Sequence, residues 1–284
     1  MGSVRELLRK GREELRASGI ESPGREAALL LSSLLGLSEP QLLSHDEEPV
    51  EDGLDRRFSD LVTRRSSGEP AAYLLGRREF FGREFVVDAR VLIPRPETEL
   101  LVEIALALPL PEAAVALDVG TGSGCIALSL AAERPNWRPV ASDISLGALA
   151  CARANAQRLN VSGRVRFVAA ELASPIDLRA VDLLISNPPY VDPEDPALVA
   201  RDVRTFEPHL ALFASERGLA TIRRLFDMAA GLQPGSWLAC EIGFGQIDAV
   251  LALAQARRHL ELVEVRADLA GIARDVVFRR AFSK

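Results

Sequence analysis

Two hydrophobic periods divide this chain. From residue 1 to about 75, apolar positions recur at helical spacing. Leu7, Leu8, Leu15 and Ile20 mark one stripe, Ala27 to Leu35 a second, and Leu54 to Val62 a third that ends near Gly68, with a short helix expected over Ser38 to Leu43. Ser22-Pro23 offers an N-cap and a proline suited to the first helical turn, and Gly36 offers a stop. With few glycines and no strand-like alternation, the region predicts a small helical bundle.

From Arg77 the period changes. Phe80, Phe81, Phe85, Val87, Val91 and Ile93, interrupted by Gly82 and Asp88, predict one or two short strands in a hairpin. Pro94-Arg95-Pro96 punctuates the chain, and an amphipathic helix is expected over Glu97 to Leu108. After Pro111, strands at Ala114 to Val119, Val140 to Asp143, Val165 to Ala169, Val181 to Ser186 and Trp237 to Ile242 alternate with helices at Cys125 to Arg134, Leu146 to Leu159, Gly218 to Gly231 and Gln246 to His259. Two more strands are expected near Leu262 to Arg266 and Val276 to Phe282. Such alternation predicts an α/β fold with a mostly parallel sheet. The expected division is a helical domain over 1–76, a hairpin linker over 77–95 and an α/β domain over 96–284.

Composition narrows the classes of function. A net charge of −6, with 10 basic against 14 acidic residues in the first 75, argues against a partner held mainly through phosphates. Cys125, Cys151 and Cys240 are widely spaced in apolar stretches and read as reduced, buried thiols. His45, His209 and His259 are scattered, so no metal-binding spacing exists. Val4 to Arg16 is charge-rich, Glu6 stands where a myristoylation signal needs Ser or Thr after Met1-Gly2, and no apolar run is long enough to span a membrane. The expected compartment is the cytoplasm. Only Lys10 and Lys284 among 34 basic residues are lysines, a mark of base composition rather than function.

Three segments carry chemistry. Asn187-Pro188-Pro189-Tyr190 follows the apolar run Val181 to Ile185. The Asn187 side-chain oxygen and the Pro188 carbonyl can accept the two hydrogens of a planar NH₂ group, Pro189 stiffens the turn, and Tyr190 offers a flat face to an amide or base. A proline-rich turn after a strand is equally common as plain structure. The second segment is Gly120-Thr121-Gly122-Ser123-Gly124, directly after a strand that carries Asp118. Its glycine spacing departs from the dinucleotide-binding G-x-G-x-x-G and suits a ligand with an amino-acid portion and no phosphate. The third is Asp143, about 20 residues on, placed to accept both ribose hydroxyls; as a plain helix N-cap it would compete with Ser145. Strand ends of an open α/β sheet share one crevice, so the three together point to S-adenosyl-L-methionine and methyl transfer to nitrogen rather than to a nicotinamide oxidoreductase.

The chain resembles the protein-(glutamine N5) methyltransferases that modify peptide chain release factors, the HemK family. The likeness runs through Pro70 to Gly76, Glu79 to Gly82, the specific block Leu92-Ile93-Pro94-Arg95-Pro96-Glu97-Thr98-Glu99, Asp118 to Gly124, Ser186 to Tyr190, Asp202 to Arg204 with Phe206 to Pro208, and Asp268 to Gly271. It implies a class I S-adenosylmethionine-dependent methyltransferase domain, Rossmann-like, behind a helical bundle and linking hairpin. It also implies cofactor contacts at Gly120, Thr121, Gly122, Ser123, Gly124, Asp143, Leu172 and Asn187, and glutamine contacts at Asn187, Pro188, Pro189 and Tyr190. Asn187, Pro188 and Tyr190 would be catalytic. The expected substrate is a release-factor Gly-Gly-Gln loop recognised by the helical domain, with the enzyme a monomer that binds no nucleic acid directly. Two departures stand out: Ala170-Glu171-Leu172 replaces the family's Gly-Asp before Trp or Leu, and Gly271-Ile272-Ala273-Arg274 replaces Gly-Arg-Asp-Arg. Arg95 reads as a carboxylate-orienting group or a salt bridge, and Glu97 and Glu99 as cofactor or loop-ordering groups or helix-dipole compensation. Two other functions use the same residues: methylation of an adenine or guanine exocyclic amine on a flipped base, and regulatory cofactor binding without catalysis.

Overall fold

At the starts of two helices in the first unit, polar side chains satisfy free N–H groups of the opening turn. Ser3 and Glu6 form a reciprocal capping box on α1 (Val4–Ala17). Helix α2 (Pro23–Leu35) opens on its proline and closes on a left-handed Gly36; Ser22 holds the N-cap position, but its hydroxyl makes no capping bond. Ser38 and Gln41 cap α3 (Glu39–Ser44), and α4 (Leu54–Ser66) and α5 (Ala71–Leu75) complete the run. The computed structural model describes residues 3–51, 53–195 and 199–282, so Met1-Gly2 and Lys284 fall outside it.

Leu15, Leu30, Leu31, Phe58 and Val62 form the core of this bundle. Gly11 lets α1 close on α4, because a Cβ there would stand 2.7 Å from the Phe58 ring. Within the bundle, the largely buried Arg65 pairs with Glu26.

The second unit begins after Arg77. Strands β1 (Arg77–Phe80) and β2 (Arg83–Val86) form a two-stranded hairpin whose turn, Phe81-Gly82, has positive φ at both residues. Val91 and Ile93, expected to be strand, lie outside it: Asp88 accepts the Arg90 N–H and turns the chain away, and the Ile93 N–H goes to the side chain of Glu207. A single helical turn at Pro96–Thr98 leads into α6 (Glu99–Ala107).

Strands β3 (Ala116–Val119), β4 (Val140–Asp143), β5 (Arg166–Ala169), β6 (Leu183–Ser186) and β7 (Trp237–Glu241) then alternate with α7 (Cys125–Glu133), α8 (Leu146–Arg158), α9 (Arg201–Phe206), α10 (His209–Leu212) and α11 (Ala220–Met228). Helix α9 groups with the first unit rather than the second. Helix α12 (Ile247–Gln255) stops short of the expected His259, since a turn at Arg257 starts β8 (Leu260–Ala267), which pairs with β9 (Ala273–Arg280).

The sheet order is β5-β4-β3-β6-β7-β9-β8. All pairings are parallel except those of β9, which runs against both neighbours. Its reversal follows from the short turn at Asp268 to Gly271, which can join only antiparallel strands. Apolar residues of α6 and α7 cover one face, and those of α11 and α12 the other. The strand order reverses between β3 and β6, so their carboxyl ends open a crevice.

Candidate active site

The glycine loop leaves β3 and is at once tied to β4: the N–H groups of Gly120 and Thr121 both donate to the Ser142 carbonyl at 2.9 Å. All three glycines have positive φ. A Cβ on Gly120 or Gly122 would meet nothing within 4 Å, so these two present open backbone, whereas at Gly124 it would stand 2.9 Å from Leu128 and 3.1 Å from Ala152. The first two thus form a floor, and the third lets α7 pack against α8.

Buried Asp118 holds the loop from below. Its Oδ2 accepts from the Thr121 hydroxyl at 2.6 Å and from the Ala127 N–H at 3.2 Å, while its Oδ1 is buried with no partner among the described residues. Burial pushes the Asp118 carboxyl up to about 7 against the pull of those two bonds. Ser123 is buried as well. Asn155 of α8 accepts from the Val86 N–H and donates to the Ser123 carbonyl at 2.9 Å, clamping the hairpin to the loop. Sequence reasoning missed Asn155, whose polar side chain lies in an otherwise ordinary helix.

Asp143 accepts from the Gly122 N–H (2.9 Å) on one oxygen and the Ser145 N–H (2.8 Å) on the other. Ser145 itself caps α8 through Ala148, so Asp143 is not the cap, and each of its oxygens keeps a lone pair. Leu172 adopts positive φ and packs against the α11–α12 side of the core. Its neighbour Glu171 is drawn to the surface, where it pairs with Arg224 at 2.6 Å.

The turn after β6 is held from further away. The Ser186 hydroxyl donates to the Val119 carbonyl at 2.7 Å, joining the ends of β6 and β3. Asn187 donates through Nδ2 to the Thr98 hydroxyl oxygen at 2.8 Å, Thr98 donates to Oε2 of Glu241 at 2.6 Å, and the Tyr190 hydroxyl donates to Oε1 of the same carboxylate at 3.1 Å. Neither Oδ1 of Asn187 nor the Pro188 carbonyl has a partner among the described residues. Pro188 is buried and Pro189 half-buried. Gln246 donates to the Tyr190 carbonyl at 2.9 Å while accepting from the Gly243 N–H, and Gly243 leaves room for the Tyr190 ring.

Thr98, Glu241 and Gln246 received no role from the sequence. One signal could have found Glu241: it is the only charged residue in the apolar strand Trp237 to Ile242, as Asp118 is in its own. The sequence pattern offers only the ring face of Tyr190; the structure adds a hydroxyl bond to a buried carboxylate. Arg95 makes a 2.5 Å salt bridge to buried Glu207, and Glu99 accepts the Phe81 N–H, so both serve structural bonds. All three cysteines are free thiols; Cys151 and Cys240 are buried, but Cys125 is half-buried at the start of α7. Among the described residues no helix is long and apolar enough to cross a membrane.

Residues 6–76 match the family model of the PrmC N-terminal domain, and residues 96–210 that of the methyltransferase small domain. A release factor glutamine methyltransferase of Koribacter versatilis is 40% identical over 274 residues, covering 95% of this chain and 96% of the relative. One from Bordetella pertussis is 45% identical over 255 residues, covering 89% and 93%. Among solved structures, the hMettl16 catalytic domain in complex with a MAT2A 3'UTR hairpin is 16% identical, with a TM-score of 0.56 over 81% of this chain and 82% of that one, a likeness of fold alone.

Proposed function

The chain belongs to the family of release factor glutamine methyltransferases, which transfer a methyl group from S-adenosyl-L-methionine to a release-factor glutamine, and from that premise we propose how its own residues carry the reaction. The acceptor is the side-chain amide nitrogen, N5, of the glutamine in a Gly-Gly-Gln loop. Bound cofactor supplies an electrophilic methyl on a sulfonium. The open backbone at Gly120 and Gly122, the spare lone pairs of Asp143 and the unpartnered oxygen of Asp118 fit a ligand carrying a ribose and an amino-acid portion. Thr121, Ser123, Gly124 and Leu172 complete that site.

The observation that carries the reading is the pair of unsatisfied acceptors at the end of β6, Oδ1 of Asn187 and the carbonyl of Pro188. Together they hold both N–H bonds of a planar NH₂ group. An amide nitrogen shares its lone pair with the carbonyl and is a poor nucleophile. Fixing both hydrogens turns the lone pair along the line of transfer and favours pyramidalisation as charge develops, so positioning and electrostatics supply most of the acceleration. Pro189 keeps the turn rigid, and Tyr190 walls the acceptor pocket. The proton leaves to water after transfer, when the nitrogen has become acidic.

The helical unit recognises the release factor, and the enzyme works as a monomer in the cytoplasm at the termination step of translation. The test is incubation with labelled S-adenosyl-L-methionine and a purified release factor, either wild type or with its glutamine changed to alanine. Label is expected only in the wild-type substrate; equal labelling of both would overturn the assignment.

A further inference from the structure

An asparagine amide has two ends of nearly the same shape and opposite hydrogen-bond sense. Only the oxygen end can grip an N–H of the acceptor; the nitrogen end would set donor against donor. Something must therefore hold Asn187 the right way round. We infer that Thr98 and Glu241 form a polarity relay, in which the Thr98 hydroxyl donates its hydrogen bond to the Glu241 carboxylate, Thr98 can then only accept from Nδ2 of Asn187, and Oδ1 is left facing the substrate. The inference rests on the reading that Asn187 grips the glutamine amide.

The geometry supports each link. The two distances are 2.6 Å from Thr98 to Glu241 and 2.8 Å from Asn187 to Thr98. Thr98 and Glu241 are each 2% exposed, so water does not compete for either bond. Threonine carries one hydroxyl proton; once that proton points at a carboxylate, the oxygen offers only lone pairs on its other side. The second oxygen of Glu241 accepts from Tyr190, so both oxygens act as acceptors, the pattern of an ionised carboxylate. The residues come from three separate stretches of chain, and their bonds converge on the turn after β6. Thr98 and Glu241 touch no reacting atom; they are positioning residues.

The relay depends on the charge of Glu241. A protonated Glu241 donates to Thr98, which then turns its own proton towards Asn187 and invites the amide to reverse. Glu241 is faced by Thr98 and Glu97 from the turn before α6, Tyr190 from the turn after β6, Arg274 and Asp275 from β9, and Cys125 and Cys240 nearby. Burial is the largest influence and lifts its carboxyl to about 7; the bonds from Thr98 and Tyr190 and the charge of Arg274 oppose it. Asp275, directly across the β7–β9 ladder, is raised by its own burial and by the charge on Glu241. Protonation therefore goes first to Asp275, and Glu241 is charged above about pH 7 and takes a proton below it.

The experiment compares wild type, T98V, T98S and E241Q. It reads kcat and KM for the release factor, Kd for S-adenosyl-L-methionine, and the pH profile of kcat between about 5.5 and 8.5. T98V keeps the shape and loses the relay, so kcat should fall roughly 10- to 100-fold while KM and Kd stay within about 3-fold. T98S should recover most of that loss. Wild-type kcat should fall as pH drops through about 7, and this acid limb should vanish in E241Q, whose side chain does not titrate. Wild-type turnover by T98V, or an acid limb that survives in E241Q, would overturn the relay. A wild-type enzyme that labels no release factor would overturn the functional reading itself, and the relay with it.

Discussion

The two halves of the crevice are built by different means. The glycine loop after β3 takes its shape locally, since Thr121 bonds Asp118 three residues away and the turns come from glycines within one pentapeptide. Its outside ties, to Ser142, Asp143 and Asn155, reach no further than the next strand and the helix after it. The turn after β6 is imposed from a distance. Asn187 is held by Thr98, 89 positions earlier, and Tyr190 by Glu241, 51 positions later. A cofactor with a fixed structure can be met by backbone in one conformation. Gripping a weakly nucleophilic amide requires side-chain atoms with a defined hydrogen-bond sense, and that needs partners the segment itself lacks.

The largest effect should come from the imposed turn. Asn187→Ala is expected to cost several kcal/mol of transition-state stabilisation, on the order of 10²-fold or more in kcat, with cofactor affinity and thermal stability nearly intact. Near-normal turnover would remove Asn187 from the reaction. Gly218→Ala attacks the same turn from outside: the new Cβ would stand 2.0 Å from the Tyr190 carbonyl oxygen, at a residue with φ of +80°. A fall in kcat of roughly 10-fold is expected, with about 1–3 kcal/mol lost in stability.

Gly124→Ala is the matching change in the local loop, and here the readout should differ. With Leu128 2.9 Å from the new Cβ and φ at +85°, the expected outcome is about 1–3 kcal/mol lost in stability and weaker cofactor binding, with kcat at saturating cofactor largely kept. If calorimetry and turnover showed the two alanine variants to be indistinguishable, the contrast between the halves would fail.

Buried carboxyls give the comparison a pH axis. Asp118 is raised to about 7 and Asp275 to about 8, each mainly by burial, well above the usual carboxylate range. Between these limits the folded protein holds protons that the unfolded chain has released. Stability is therefore highest at low pH within this window and declines as pH rises from about 4 to about 8. Activity should move the other way, because Glu241 must be charged. Asp275→Asn removes one such group; it should flatten the dependence of Tm on pH and leave the variant about 1–3 kcal/mol more stable than wild type at pH 8. An unchanged slope would show that Asp275 does not titrate as described.

The smallest effect is expected at Glu171. Its side chain is 61% exposed and paired with an exposed Arg224, so Glu171→Ala should change cofactor Kd by no more than about 3-fold and stability by under about 0.5 kcal/mol. A larger loss of affinity would mean that Glu171 leaves Arg224 to meet the ligand.

Much of the α/β unit was legible because its signals are contiguous. Val140–Asp143 has the bounds expected of it, and the glycine loop announces itself within five residues. Errors fell where a side chain from elsewhere intervened: the Ile93 N–H is taken by Glu207, more than a hundred positions on, and no local pattern records that. The reversed β9 was open to the same blindness, since two apolar strands read alike in either direction.

The sequence by itself determined the helical bundle, the alternating α/β order and the candidate groups at the strand ends, because hydrophobic period, glycine and proline act within a few residues. Only the tertiary structure decided which way the Asn187 amide faces. That choice belongs to a proton on Thr98 and a charge on Glu241, and both reach Asn187 through a sheet that must first be folded.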